Sequence, residues 1–244
     1  MPKRRILVLQ PKNSPWNDFL KEFFYETASD LFFFQDTAAA KAAFDKEPHE
    51  IVFADQSLIS LPLSQALEVA RQSGKEAVVF GTGEASSPAR FKTNDSFPGI
   101  PEMLEFQKKM LKSLLFPEKI RVLIVDDEPE IGRMICDFLD RRVNPAFETA
   151  HAPNGAEGLR RILEQTPDVM VLDIKMPLLD GREVYREMRK KNINVPTIVF
   201  FDAVFGDELA EMRRYGKPAV IEKGAPQSAL PELLELVKKM WFFC

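Results

Sequence analysis

The sequence predicts an α/β protein built from two tandem copies of one (βα)5 fold, each a parallel five-stranded sheet of order 2-1-3-4-5 with helices on both faces. Three observations carry this. Short apolar runs alternate with segments of helical spacing, the pattern of βαβ units. The alternation runs through the chain twice, and the halves overlay in a steady register: Gln10 falls under Asp126 (offset 116), Asp55 under Asp173 (118) and Phe80 under Phe200 (120). Finally, the run Val169-Met170-Val171-Leu172 is unbroken and short, as a parallel strand covered on both faces requires, and it delivers Asp173 to the sheet edge where open α/β sheets bind ligands.

In the first half, Ile6–Leu9 is a strand leading into Gln10-Pro11. Ser14-Pro15 reads as an N-cap with proline at the first helical position, and Trp16, Phe19, Leu20, Phe23 and Phe24 recur at helical spacing on one apolar face. Leu31–Phe34 is a second strand, Thr37–Asp45 an alanine-rich helix and Ile51–Asp55 a strand ending in an acid. A helix over Ser64–Gln72 and a strand over Ala77–Phe80 follow. The segment 81–99, rich in Gly, Ser and Pro, is irregular, with Ser96-Phe97 the remnant of a fifth strand. Pro101–Phe116 closes the half as a helix.

Pro117-Glu118-Lys119 is the spacer, dividing the chain into domains at 1–117 and 119–244. The second domain reads as strand Val122–Val125, helix Pro129–Arg142, a weak strand at Phe147–Thr149 and helix Gly155–Glu164. The strand ending at Asp173 comes next, then helix Arg182–Lys190, strand Thr197–Phe201, helix Asp207–Tyr215, strand Ala219–Glu222 and helix Leu230–Trp241.

Composition fits this frame and excludes several function classes. With 244 residues, 45% of them apolar and 10% aromatic, the chain can pack two ordinary cores. The net charge is -4, and the halves are balanced: residues 1–118 carry 14 basic and 16 acidic groups, the remainder 19 and 21. Neither half is a basic nucleic-acid module. No apolar run approaches the roughly 18 residues of a membrane span, and the basic start Met1–Arg5 lacks the apolar region of a signal peptide. Cys136 and Cys244 have no metal-ligand spacing, so a reduced, cytoplasmic setting is the simpler reading.

The chemistry concentrates in the second copy. Strand one ends in Asp126-Asp127-Glu128 and strand three in Asp173, so the sheet order brings their carboxylates together at the switch point. Close carboxylates repel unless a cation lies among them, and few hard oxygen donors with room for water suit Mg²⁺. Strand five ends at Lys223 and brings an ammonium to the same crevice. A carboxylate nucleophile, a divalent cation and a lysine form a set suited to accepting a phosphoryl group.

At these motifs, Ile124–Pro129, Val171–Pro177 with Asp180-Gly181, and Glu222-Lys223-Gly224, the sequence over residues 119–244 resembles the receiver domain of two-component response regulators, a flavodoxin-like fold. The resemblance implies that Asp173 is the phosphoacceptor and that Asp127 ligates Mg²⁺ directly, with Asp126 reaching it mainly through water. It further implies that the Lys175 backbone carbonyl completes the protein ligands and that Lys223 contacts the phosphoryl group. A histidine kinase or phosphotransfer protein would be the donor. Two departures stand out: Phe201 occupies the position of the Thr or Ser switch hydroxyl, and Val220 that of its aromatic partner.

In the first copy Gln10-Pro11 replaces the acid pair and only Asp55 persists, so it reads as a degenerate, receiver-like domain kept for contacts. Asp55 reads as a cap or surface carboxylate, His49 and His151 as solvated loop residues, and Gly81-Thr82 as a plain turn in preference to a mimic of the switch hydroxyl. The terminal Trp241–Cys244 either finishes a core or makes a contact between two copies.

The expected function is a phosphoacceptor response regulator with no output domain after residue 244, signalling through an unknown downstream protein or self-contact, and not an enzyme. The alternatives are an unphosphorylated interaction scaffold, motivated by Phe201, and an aspartyl-phosphate phosphatase of the haloacid-dehalogenase type. The latter looks for Asp-x-Asp where Asp126-Asp127-Glu128 stands.

Overall fold

The computed structural model describes residues 4–47, 49–72, 77–83, 93–201 and 206–244. The chain divides into two compact units, Leu115–Phe242 and Met1–Leu114 with Phe243–Cys244. In the first unit the elements run β1 (Arg5–Leu9), α1 (Trp16–Phe23), β2 (Asp30–Phe34), α2 (Thr37–Lys46), β3 (Ile51–Asp55), α3 (Leu61–Gln72), β4 (Val78–Thr82), β5 (Asp95–Phe97) and α4 (Met103–Leu111). The second runs β6 (Lys119–Val125), α5 (Pro129–Asp140), β7 (Ala146–Ala152), α6 (Gly155–Glu164), β8 (Val169–Leu172), α7 (Gly181–Lys190), β9 (Thr197–Phe201), α8 (Gly206–Arg213), β10 (Ala219–Glu222) and α9 (Pro226–Phe243).

Both sheets are parallel and share one topology, β2-β1-β3-β4-β5 and β7-β6-β8-β9-β10. This is the doubled 2-1-3-4-5 order that the strand pattern predicts. The apolar strands are covered on both sides: β1 from Ile6 to Leu9 and β8 throughout are buried. In the first unit one layer holds Leu7, Leu9, Phe44, Val52, Leu63, Leu67 and Val79. Another is aromatic, with Phe53 stacked on Phe80 at 5.0 Å and Phe106 edge-on to Phe19 and Phe23. In the second unit Leu123, Val125, Met170, Leu172, Val184, Tyr185, Met188 and Val199 share one core.

Several local expectations change. The repeat keeps its offset of 118 into β4: Phe80 pairs with Phe53, whereas Val171, the counterpart of Phe53, pairs with Ile198. Phe80 therefore matches Ile198 rather than Phe200, and no second slip of two residues exists. The ladder hydrogen bonds set the register, and loop lengths do not report it. β7 spans seven residues instead of three because it lies along β6 over its full length.

α4 ends at Leu111, where Ser113 and Leu114 donate to the carbonyls of Met110 and Leu111 in tighter turns. α9 starts four residues earlier than the pattern suggests and holds Pro231 inside it. A proline near a helix start removes only one amide donor. At the chain end Phe242 and Phe243 are buried. Ser14 takes its expected place at the helix start: its hydroxyl oxygen accepts the Trp16 amide at 3.4 Å while the hydroxyl donates to Gln10 Oε1 at 3.0 Å, and Pro15 precedes α1 with no side-chain cap of its own. His49 is unlike its expectation, being 2% exposed with its ring 5.2 Å from Phe32 and 6.3 Å from Phe44. There it serves as a flat spacer beneath the α2–β3 corner.

Among the described residues no helix is long and apolar enough to cross a membrane.

Candidate functional site

β6 and β8 are neighbours with Val125 opposite Leu172, so the residues that follow, Asp126 and Asp173, leave the sheet side by side. Their backbones are anchored to adjacent strands, Asp126 N to Ala152 O at 3.1 Å and Asp173 N to Val125 O at 2.8 Å. Both side chains are buried, Asp126 1% and Asp173 6% exposed.

Lys223 follows β10, two strands away from β8, with its amide bonded to Phe201 O at the end of β9. Its four-carbon stem spans that gap. The ammonium lies 2.9 Å from Asp173 Oδ1, 3.0 Å from Asp126 Oδ2 and 3.6 Å from Glu128 Oε1, on a side chain only 6% exposed.

Electrostatics at the three groups follow from burial and pairing. Burial raises the Asp173 carboxyl, the Lys223 hydrogen bond and charge oppose it, and the Asp126 and Asp127 charges add to burial, leaving it at about 6. For Lys223 burial alone would lower the ammonium; hydrogen bonds from it to Asp173 and Asp126 outweigh that and hold it above its ordinary value.

Asp127 is half-buried and Glu128 exposed beside this trio. Asp126 Oδ1 also accepts the Glu128 amide at 2.9 Å, which fixes the turn into α5. Among the described residues no three acid, imidazole or thiol side chains converge into a ready-made cation cage. Close carboxylates repel, so the buried pair gathers around the Lys223 ammonium instead. The donor set still fits a hard cation: several carboxylate oxygens at one sheet edge balanced by a single ammonium.

The β8–α7 loop is held close beneath Asp173. A Cβ at Gly181 would lie 2.1 Å from the Asp173 carbonyl oxygen, so only glycine lets α7 begin here. Gly181 N donates to Ile174 O at 2.9 Å, and Asp180 and Glu183 close a capping box. Lys175 lies in this loop with its side chain exposed. Leu178, 87% exposed, adopts φ 72°.

Phe201 is half-buried and packs with Val220 against the core of Leu172, Tyr185 and Val199. The ring at position 201 is thus committed to the apolar layer.

Sequence reasoning missed His151. Its Nε2 lies 2.8 Å from the Asp126 carbonyl oxygen, at the acid pair itself. The clue was positional: in the register of β7 on β6 it stands opposite Ile124, two residues before Asp126.

The first unit's switch point is built from neutral groups. Gln10, 1% exposed, donates its amide to the hydroxyl of Thr82, itself fully buried at the end of β4, so Thr82 is a strand residue and not a turn. Asp55 accepts from Ser57 N at 2.9 Å and caps a single 3-10 turn, as a capping reading expects.

Fold and site together define a doubly wound (βα)5 domain with a buried acid–lysine cluster at its switch point. Residues 122–235 match the family model described as the response regulator receiver domain, and this half of the chain belongs to that family of two-component signalling domains.

Among curated relatives, a protein-glutamate methylesterase/protein-glutamine glutaminase of Clostridium acetobutylicum is 39% identical over 83 residues, covering 34% of this chain and 24% of that protein. A probable C4-dicarboxylate response regulator, DctR, of Bacillus subtilis is 31% identical over 119 residues, 49% of this chain and 52% of that protein. The chain thus spans between about a quarter and a half of the length of these relatives. Among solved structures, the response regulator domain of Thermotoga maritima CheB is 27% identical, with a TM-score of 0.46 over 50% of this chain and 96% of that one.

Proposed function

We propose that residues 119–244 act as the phosphoacceptor domain of a response regulator, with Asp173 the residue that receives the phosphoryl group. The observation that carries this is the convergence of Asp126, Asp173 and Lys223 at the switch point, with the ammonium 2.9 Å from Asp173 Oδ1. In the transfer, a carboxylate oxygen of Asp173 forms a bond to phosphorus while the donor's phosphoramidate N–P bond breaks, leaving the donor imidazole to take a proton. Lys223 neutralises charge on the phosphoryl oxygens as they arrive.

Asp126, Asp127 and Asp173, with the Lys175 backbone carbonyl, would hold Mg²⁺. When bound, that ion supplies Lewis-acid neutralisation of the transferring group. Receiver domains take their phosphoryl group from histidine kinases or phosphotransfer proteins, and this chain's donor belongs to that class, in the cytoplasm. Output is a change in protein–protein contacts rather than catalysed turnover, and the first unit is a receiver-like module that has lost the acids and serves for contacts.

Phe201 and Val220, packed in the core in place of a hydroxyl and its aromatic partner, favour a second reading in which the pair of units is a constitutive scaffold. One experiment separates the two. The full chain is exposed to Mg²⁺ and a small phosphoramidate donor, then measured by intact mass, with Asp173→Asn as control. A gain of one phosphoryl group that disappears in the variant supports the phosphoacceptor; no gain in the wild type leaves the scaffold.

A further inference from the structure

We propose that His151 is a positioning residue for the acid pair: its ring pins the peptide between Asp126 and Asp127 and so aims the Asp127 carboxylate. The consequence for metal binding rests on the phosphoacceptor reading above. The pinning itself does not.

His151 lies on the edge strand β7, opposite Ile124 of β6. Its Nε2 is 2.8 Å from Asp126 O. The partner is a carbonyl, so this nitrogen carries the proton and donates. That oxygen belongs to the same planar unit as the Asp127 amide, and holding it fixes the plane from which the Asp127 side chain departs.

Residue 126 is otherwise tied by its own amide to Ala152 O at 3.1 Å and by its carboxylate to Glu128 N at 2.9 Å and Lys223 at 3.0 Å. Those contacts set Asp126 but leave the plane of the next peptide free to rock. The imidazole stops it.

A second feature shows that room is made for this ring. Gly132, buried in α5, faces it so closely that a Cβ there would lie 2.4 Å from both Cδ2 and Nε2 of His151. Glycine inside a helix costs roughly 0.5–1 kcal/mol against alanine, and nothing about α5 itself asks for it. A histidine that merely filled space would not need the carbonyl.

The test records amide ¹H–¹⁵N spectra of the full chain, without metal and through a Mg²⁺ titration, for wild type, His151→Leu, His151→Gln and Gly132→Ala, with the thermal midpoint of each. In the metal-free protein the Asp127 amide should move in His151→Leu and return towards wild type in His151→Gln, whose amide can donate in place of Nε2. Gly132→Ala should displace the ring and move the same resonance in the same direction, although it strengthens the helix. Half-saturating Mg²⁺ should rise about three- to tenfold in His151→Leu, the range one ordinary hydrogen bond or one supporting contact to a ligand sets.

An unmoved Asp127 amide in both His151→Leu and Gly132→Ala overturns the positioning role, as does a fall in thermal midpoint with no change in that amide. If Mg²⁺ leaves the wild-type spectrum untouched, the phosphoacceptor reading fails. The metal-free comparison then still decides for or against His151.

Discussion

Lys223 Nζ lies 2.9 Å from Asp173 Oδ1 while also 3.0 Å from Asp126 Oδ2, so one buried ammonium serves two buried carboxylates. Removing one partner of a buried ionic cluster leaves charge without compensation, and the measured cost of such deletions is about 3–5 kcal/mol. Lys223→Gln should therefore lower the unfolding free energy from urea denaturation by an amount near the lower end of that range. Adding Asp126→Asn should recover part of the loss. A single variant as stable as wild type would show that the trio contributes nothing to folding.

Asp173 and Asp55 end equivalent strands, yet among the described residues Asp173 has an ammonium at 2.9 Å whereas Asp55 caps Ser57. With a small phosphodonor and Mg²⁺, Asp173→Asn should abolish labelling. Asp55→Asn should label like wild type. Label retained on a chain lacking the Asp173 carboxylate would place the acceptor elsewhere.

Phe201 packs against the apolar core of the second unit while half-exposed, so Phe201→Thr removes part of an apolar contact and should cost about 1–2 kcal/mol, below the usual cost of a fully buried ring. Labelling of Asp173 should persist in this variant, because the ring belongs to the apolar layer. Its loss, in a folded variant, would show that the ring shapes the site.

Leu178 holds φ 72° with 87% of its surface exposed, a conformation that costs a branched residue about 1–2 kcal/mol. Leu178→Gly relieves that strain but adds chain entropy to the unfolded state. The net result should be a gain of roughly 0.5–1 kcal/mol, read as a raised thermal midpoint. A lower midpoint would mean that the leucine makes a stabilising contact.

His49 is buried, and among the described residues neither ring nitrogen makes a well-formed hydrogen bond. Burial, followed by the Arg5 charge, pushes the ring below its ordinary value of 6.5, and the Glu47 backbone and charge offset this only in part. The unfolded chain therefore takes up the proton first as pH falls below 6.5. Stability is full above that value, declines as pH drops towards the depressed folded value, and levels off beneath it. His49→Leu should flatten this decline, narrowing the wild-type loss by about 1 kcal/mol per pH unit in the window. Parallel stability curves for the two proteins would refute the assignment to His49.

Much of this was legible in the linear chain because it depends on local pattern. Apolar runs with strand lengths, ending in Asp126, Asp173 and Lys223, announce both the parallel sheets and which charges reach the switch point. The sheet order follows from connection rules. Segments whose structure depends on a neighbour were read less well: β7 is long because β6 templates it, and the β4 register answers to ladder hydrogen bonds.

The sequence by itself determined the doubled (βα)5 architecture, the receiver family of its second half and the set of charged residues at the switch point, since periodicity and strand-end chemistry are local properties. Tertiary structure alone decided that Lys223 is shared between two acids, that Phe201 joins the core, and that two histidines read as solvated are packed, one of them on the Asp126 carbonyl. Each of these depends on groups distant along the chain meeting within a few ångströms, and no spacing in one strand or helix encodes such a distance.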